Sequence, residues 1–237
     1  MVCRRVSFRT STKCVNRFAG RLSNGPNRHL WGNTLGVICQ LVITYADGST
    51  QKVVTDGKWL YKPGGPVTRA EIYDGEDFDA RIELSWSASG NIDQYIWHNA
   101  QPTTLPHTLR AMDGPPIRRI EDIRPASVRK TGSDAHVIDF GQNLVGWLRV
   151  VANGPAGHQI TFTHAEALEH EQFTTKPLRS ATQRDHLTLS GKDVIWSPRF
   201  TFHGFRSVVP IPSRSRSGLT FGSDMSRYSI GTERKLI

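Results

Sequence analysis

The chain has 237 residues, 30 of them Lys or Arg and 21 Asp or Glu, for a formal net charge of +9. That length suits one large β domain or two smaller ones, and no apolar run reaches the ~18 residues of a membrane span, so no membrane partner is expected. The excess charge lies at the ends: residues 1–28 hold seven basic residues and no acid, and residues 211–237 hold five basic against two acidic, so the body is close to neutral. A nucleic-acid binder carries its basic patch on the folded body, so nucleic acid is not an expected partner either.

From the start to about Asn33 no periodicity is sustained, and residues 1–33 read as an irregular basic segment, for whose acid-free, Arg- and Ser-containing start an organelle transit peptide is the alternative. Cys3, Cys14 and Cys39 are odd in number and show neither a disulfide framework nor metal-ligand spacing, which favours a reducing, cytoplasmic compartment. Nothing near Met1 has the apolar core of a secretory leader.

Leu35 to Tyr45 alternates as a strand, Asp47-Gly48 is a hairpin turn, and Thr50 to Thr55 returns as its partner. Trp59 begins another short strand. Ala70 to Arg81 is rich in acids around Gly75. A calcium loop is one reading of these acids. Turn chemistry with Arg69 and Arg81 as ion-pair partners is the plainer one, because the spacing is not that of an EF-hand. Ile82, Leu84 and Trp86 alternate as a further strand, and residues 91–115 are a polar, Pro-containing linker.

Ile117 opens a second unit. Its centre runs from Val137 to Glu166 and reads as three short strands, with turns at Gly141-Gln-Asn143 and at Asn153 to Gly157. On the third strand Ile160, Phe162, His164 and Glu166 share one face, an apolar surface ending in a histidine and a carboxylate. Ala167 to Glu171 reads as a helical turn, Asp185 to Leu189 and Val194 to Trp196 as strands around Ser190-Gly191, and Pro198 to Val209 as a packed, aromatic-rich segment. Residues 211–237 are weakly patterned. Short strands at hairpin spacing without a long amphipathic helix predict an all-β fold: two β-sandwich or jelly-roll units, the first incomplete, with irregular N- and C-terminal tails.

Asp139, Glu166 and Glu169 are carboxylates of the type that glycoside hydrolysis employs in pairs. His164, Glu166 and His170 do not match a metal-ligand spacing, and no metal or organic cofactor is expected. Neither a Gly-x-Ser-x-Gly elbow nor a phosphate loop is present. The carbohydrate-binding or domain-docking candidates are Asp139, Gln142, Asn143, Trp147, His164 and Glu166.

Several motifs follow one another in a specific order: Gln40-Leu-Val-Ile-Thr-Tyr-Ala-Asp-Gly48, Thr55-Asp56 with Trp59, and Ile72-Tyr-Asp-Gly-Glu-Asp-Phe-Asp-Ala-Arg81. Beyond them come Pro115-Pro-Ile117, Asp139-Phe-Gly-Gln-Asn-Leu-Val-Gly-Trp147, His164-Ala-Glu166 and Pro198-Arg-Phe-Thr-Phe-His-Gly-Phe-Arg206. In this order and spacing, over about Gly20 to Val209, the chain resembles the accessory β domains of bacterial-type α-L-rhamnosidases, glycoside hydrolase family seventy-eight. The resemblance implies a partial N-terminal β domain at residues 34–90, a concanavalin-like sandwich at 116–210, and at 211–237 the lead-in to a catalytic helical barrel that the chain does not include. It implies inverting hydrolysis of terminal α-L-rhamnose by the whole enzyme, with no organic cofactor. The catalytic carboxylates of that family lie in the barrel, so no catalytic residue is carried over and the chain is expected to be inactive by itself. The partner is then either the catalytic domain or a rhamnose-containing carbohydrate. The alternative is a non-catalytic carbohydrate-binding module.

Overall fold

A computed structural model of the chain describes residues 3–11, 36–82, 97–103, 118–131, 135–169, 172–179, 181–212 and 230–236. Its strands, in chain order, are β1 (Cys3–Ser11), β2 (Ile38–Tyr45), β3 (Thr50–Val54), β4 (Leu60–Tyr61), β5 (Val67–Glu71), β6 (Gly75–Asp79), β7 (His98–Asn99), β8 (Arg118–Ile123) and β9 (Ser127–Thr131). They continue as β10 (Ala135–Ala152), β11 (Gln159–Ala165), β12 (Ala167–Glu169), β13 (Gln172–Thr174), β14 (Arg184–Thr188), β15 (Val194–Trp196), β16 (His203–Pro212) and β17 (Ile230–Leu236). Apart from one short 3-10 turn at Lys176–Leu178, every element among the described residues is a strand, as the all-β expectation requires.

The chain divides into two compact units. The first holds a three-stranded sheet in the order β1-β2-β3 and the small pair β4-β7. The β2–β3 hairpin forms at Asp47-Gly48 as expected. Gly48 takes φ +86, and the Asp47 carboxylate accepts the Ser49 backbone N–H at 2.9 Å, which closes the turn. The expected irregular N-terminal segment contains β1, which pairs with β2 in the register Val6↔Ile43. Val6, Phe8 and Thr10 alternate there with Arg5, Ser7 and Arg9. The basic residues masked this strand-type period, and the open edge of β2 supplies the partner. The expected strand at Ile82, Leu84 and Trp86 lies largely outside the described residues, as does most of the expected linker; its described part, residues 97–103, carries β7.

The second unit is built on one ten-stranded sheet with the path β5-β6-β14-β11-β16-β10-β17-β8. Strands β9 and β15 pair with opposite ends of β10, at Ala135 to Asp139 and at Val150 to Ala152. An 18-residue strand that exchanges partners along its length curls the sheet on itself, and the core lies within that curl. The core runs from Val137 to Val209 and includes Ile138, Leu148, Phe162, Leu187 and Phe205, each essentially inaccessible. Phe162 stacks on Trp196 with centroids 5.9 Å apart, and Phe140 meets Phe205 edge-on at 5.7 Å. Burial of each such ring contributes about 2–3 kcal/mol.

Four features of this unit differ from the sequence reading. Strands β5 and β6, placed by sequence in the first domain, join this sheet: β6 runs parallel to β14, pairing Asp77 with His186 and Asp79 with Thr188. The expected turn at Gly141-Gln-Asn143 is a bulge within β10. The register against β16 moves from Asp139↔Ser207 to Leu144↔Phe205, and Gly141 takes φ +76 without the chain reversing. The expected helical turn after Glu166 is the hairpin β12–β13, with Leu168 opposite Phe173. The expected irregular C-terminal tail contains β17, which inserts between β10 and β8. Each difference has the same cause: a backbone segment with weak local preference takes up hydrogen bonds offered by a neighbouring edge.

Candidate functional site

Two groups of polar side chains stand out in the second unit, one at its surface and one at its centre. The surface group is carried by the β10 bulge. Asp139 begins it: Oδ1 accepts the Gly141 backbone N–H at 2.7 Å, and the carboxylate receives both Nε and an Nη of Arg206 at 3.0 Å each. Gln142 and Asn143, at the bulge tip, are exposed; Trp147, further along β10, is half-buried. Glu166 is exposed just past the end of β11, and its Oε1 occupies the space over Gly204, 2.9 Å from where a Cβ there would stand.

The Arg206 guanidinium beside Asp139, with the Gly141 amide, holds this carboxyl below the usual aspartate value. A lowered folded-state pKa means that the pair stabilises the fold above the unfolded pKa and that this stabilisation is lost as pH falls through the folded value. The Asp139 carboxyl is therefore expected to titrate below ~3.9, the ordinary aspartate value. Arg206→Ala should move its midpoint upward in a carbon-13 carboxyl titration. An unchanged midpoint would show that the ion pair does not form in solution.

The acids around Gly75 are held by protein groups. Asp77 takes a bidentate pair from Arg69 at 2.7 and 2.8 Å, Asp79 pairs with Arg81, and Glu71 accepts the backbone N–H groups of Tyr73 and Asp74. The two arginines are those the sequence had offered as partners. Glu169 pairs with Lys176 at the surface. Asp139 and Glu169 are thus both engaged in ion pairs.

The central group was only partly foreseen. His164 on β11, Asp185 on β14 and His203 at the start of β16 are fully buried together, beside Glu76 on β6. Asp185 Oδ1 accepts His203 Nε2–H at 3.0 Å and the Glu76 backbone N–H at 2.9 Å. His164 Nδ1 donates to the Gln183 carbonyl at 3.1 Å, which leaves Nε2 as the bare nitrogen; it faces Asp185 Oδ2 at 3.8 Å. The two imidazoles lie 4.3 Å apart by centroid, and His164 packs edge-on against Phe205 at 4.8 Å. Burial, and then the neighbouring His203, push the His164 pKa down to about 3 against the pull of Asp185 and Gln183, so this imidazole is neutral near pH 7. Burial alone would raise the Asp185 pKa, but His203, His164 and the Glu76 amide together bring it below the ordinary value. Burial raises the pKa of Glu76, although one of its oxygens accepts the backbone N–H groups of Arg199 and Phe200 at 2.9 Å each.

His164 is therefore not a surface residue and does not belong with the other five candidates. The predicted apolar face is real, since Ile160, Phe162 and His164 are all buried, but it closes over His164 and leaves Glu166 outside. Asp185 and His203 were missed as site residues, and Glu76 was weighed only among the acids of a calcium loop. The available signal was the same for each: a polar residue at an inward position of an otherwise apolar strand face, which must find partners to be buried.

A curled, mostly antiparallel sheet with a closed polar centre and an ion-paired bulge at its rim defines a β-sandwich module. Among the described residues no helix is long and apolar enough to cross a membrane. The chain belongs to the bacterial-type α-L-rhamnosidase family: residues 16–121 match the alpha-L-rhamnosidase N-terminal domain, and residues 129–214 the bacterial alpha-L-rhamnosidase concanavalin-like domain. An alpha-L-rhamnosidase of Alteromonas sp. (strain LOR) is 36% identical over 178 residues, covering 72% of this chain and 19% of that protein. One from Streptomyces avermitilis is 33% identical over 184 residues, covering 76% and 18%. Among solved structures, native alfa-L-rhamnosidase from Aspergillus terreus superposes with a TM-score of 0.79 at 36% identity, over 93% of this chain and 25% of that one. The Streptomyces avermitilis alpha-L-rhamnosidase complexed with L-rhamnose gives 0.76 at 29% identity, over 93% and 21%. The chain thus spans about a fifth of the length of the curated relatives it matches.

Proposed function

We propose that this chain is the supporting β-sandwich part of an α-L-rhamnosidase and that the whole enzyme hydrolyses terminal α-L-rhamnose with inversion. The observation that carries this reading is the pair of adjoining family matches to accessory domains, at residues 16–121 and 129–214, in a chain that spans about a fifth of the relatives' length. Of the carboxylates considered for catalysis, Asp139 and Glu169 are committed to ion pairs, which supports a non-catalytic role for this chain. The purified chain is expected to release no product from an aryl α-L-rhamnoside above a blank lacking protein. Measurable turnover that co-purifies with the chain would overturn the proposal.

A second reading, a carbohydrate-binding module, is favoured by the exposed Gln142 and Asn143 beside the Asp139–Arg206 pair. On either reading Asp139, Gln142, Asn143, Trp147 and Glu166 are the residues assigned to docking or sugar contact. Calorimetric titration with L-rhamnose separates the two: heat that is lost in Gln142→Ala identifies a sugar site, and its absence leaves the residues to domain docking. A cytoplasmic location is part of the same proposal; the reducing compartment it implies agrees with the three cysteines, of which Cys39 carries a free thiol.

A further inference from the structure

The buried centre of the second unit contains an electrostatic mismatch. The Gln183 carbonyl takes the Nδ1–H of His164, so Nε2 carries only a lone pair. Opposite it, at 3.8 Å, is Asp185 Oδ2, another lone-pair acceptor. Both atoms are wholly buried, and among the described residues neither has a hydrogen-bond partner. Two acceptors facing each other without a donor are unfavourable, and burial removes the water that would otherwise separate them.

We propose that His164, Asp185 and His203 form a closed binding site for a single late first-row divalent cation, of which Zn2+ is the representative. The potential ligand atoms of the three residues all lie within 4.8 Å of one another. Zinc binds imidazole nitrogen and carboxylate oxygen at ~2.0–2.2 Å, so one ion bridges a 3.8 Å gap between His164 Nε2 and Asp185 Oδ2. Imidazole with a carboxylate selects a zinc-like ion over calcium or magnesium, which prefer sites made entirely of oxygen.

The surroundings of His164 are those of a metal ligand. A ligating histidine characteristically donates its second ring N–H to a backbone carbonyl or a carboxylate, which fixes the tautomer. His164 does so to Gln183. His203 joins through Nε2, now 3.0 Å from Asp185 Oδ1, once its proton moves to Nδ1. Its Nδ1 has no partner among the described residues, so that shift breaks no other bond there. Asp185 supplies the negative charge, and His164 and His203 are the basic groups within salt-bridge distance of it among the described residues. The three ligands stand on β11, β14 and β16, which are adjacent in the sheet and hold them in place before any ion arrives. The function assigned to the site is structural: the ion would tie three central strands together where hydrophobic packing is interrupted by polar groups.

The test uses the full chain, stripped with a chelator, dialysed and titrated with Zn2+ in a calorimeter. One equivalent is expected to bind and to raise the melting temperature, with the rise complete at a 1:1 ratio. X-ray absorption on the zinc-loaded wild-type chain should show two imidazoles and a carboxylate oxygen. Asp185→Asn, which preserves shape while removing the charge, should weaken binding by more than ~100-fold, since loss of even an outer-shell partner costs 10–100-fold. His98→Ala, an exposed histidine in the first unit, should bind like the wild type. Absence of a stoichiometric site, a coordination shell lacking paired imidazoles, or equal affinity in Asp185→Asn would each overturn the proposal. The wild-type measurements decide the matter even if the variant fails to fold.

Discussion

Asp185→Ala is expected to lower folding stability by about 3–5 kcal/mol, because it leaves two buried donors unsatisfied at about 1–3 kcal/mol each. The carboxylate anchors three elements at once: it accepts from His203 on β16 and from the Glu76 amide on β6, and it faces His164 on β11. Its removal strands a histidine N–H and a backbone N–H in a volume that excludes water. Asp185→Asn keeps an acceptor for both donors and offers an amide toward His164 Nε2, so it should cost roughly 1–2 kcal/mol in comparison. Urea unfolding in the presence of a chelator measures both without interference from bound ions. An alanine variant within about 1 kcal/mol of the wild type would mean that the cluster is hydrated or open in solution.

Gly75→Ala is expected to be as damaging or worse, with a loss of more than about 4 kcal/mol or failure to fold. Gly75 takes φ +109, a backbone conformation that side-chain-bearing residues rarely adopt. A Cβ there would stand 2.0 Å from the Arg184 carbonyl oxygen and 2.8 Å from Asp185 Oδ1. The obstacle is the backbone of β14, which cannot move aside without breaking its pairing with β11 and β6. Gly48→Ala is the control. Its φ is +86, but among the described residues nothing lies within 4 Å of the added methyl, so only the conformational cost of ~1–2 kcal/mol applies. Thermal melts of the two variants should therefore differ widely. Similar melts would indicate that β6 does not dock on β14 as described.

These two positions illustrate how much was legible beforehand. Gly48 was readable because its role is local: Asp-Gly between two alternating runs defines a hairpin through backbone conformation alone. Gly75 looked like another turn glycine among acids, and its need for a bare Cα comes from a strand 109 residues further on. The acids around it followed the local rule, since Arg81 lies two residues from Asp79 and Arg69 faces Asp77 across one hairpin. Glu76 did not, because its partners are the backbone amides of residues 199 and 200. His164 was recognised as unusual from its place on an apolar strand face, but period-two alternation assigns a side chain to a face without saying whether that face is covered. The curl of the sheet around β10 covers it.

The amino-acid sequence by itself determined the all-β character, the β2–β3 hairpin, the inward set on β11 and the family to which the chain belongs. Those properties rest on alternation, turn chemistry and ordered motifs, all of which are short-range. The tertiary structure alone decided that β5 and β6 join the second unit's sheet, that Gly141 makes a bulge instead of a turn, and that His164, Asp185 and His203 share one sealed volume. Strand pairing is a non-local choice: a β edge offers the same N–H and C=O groups to any segment of suitable length, and the partner is selected by which faces become buried when the sheet closes.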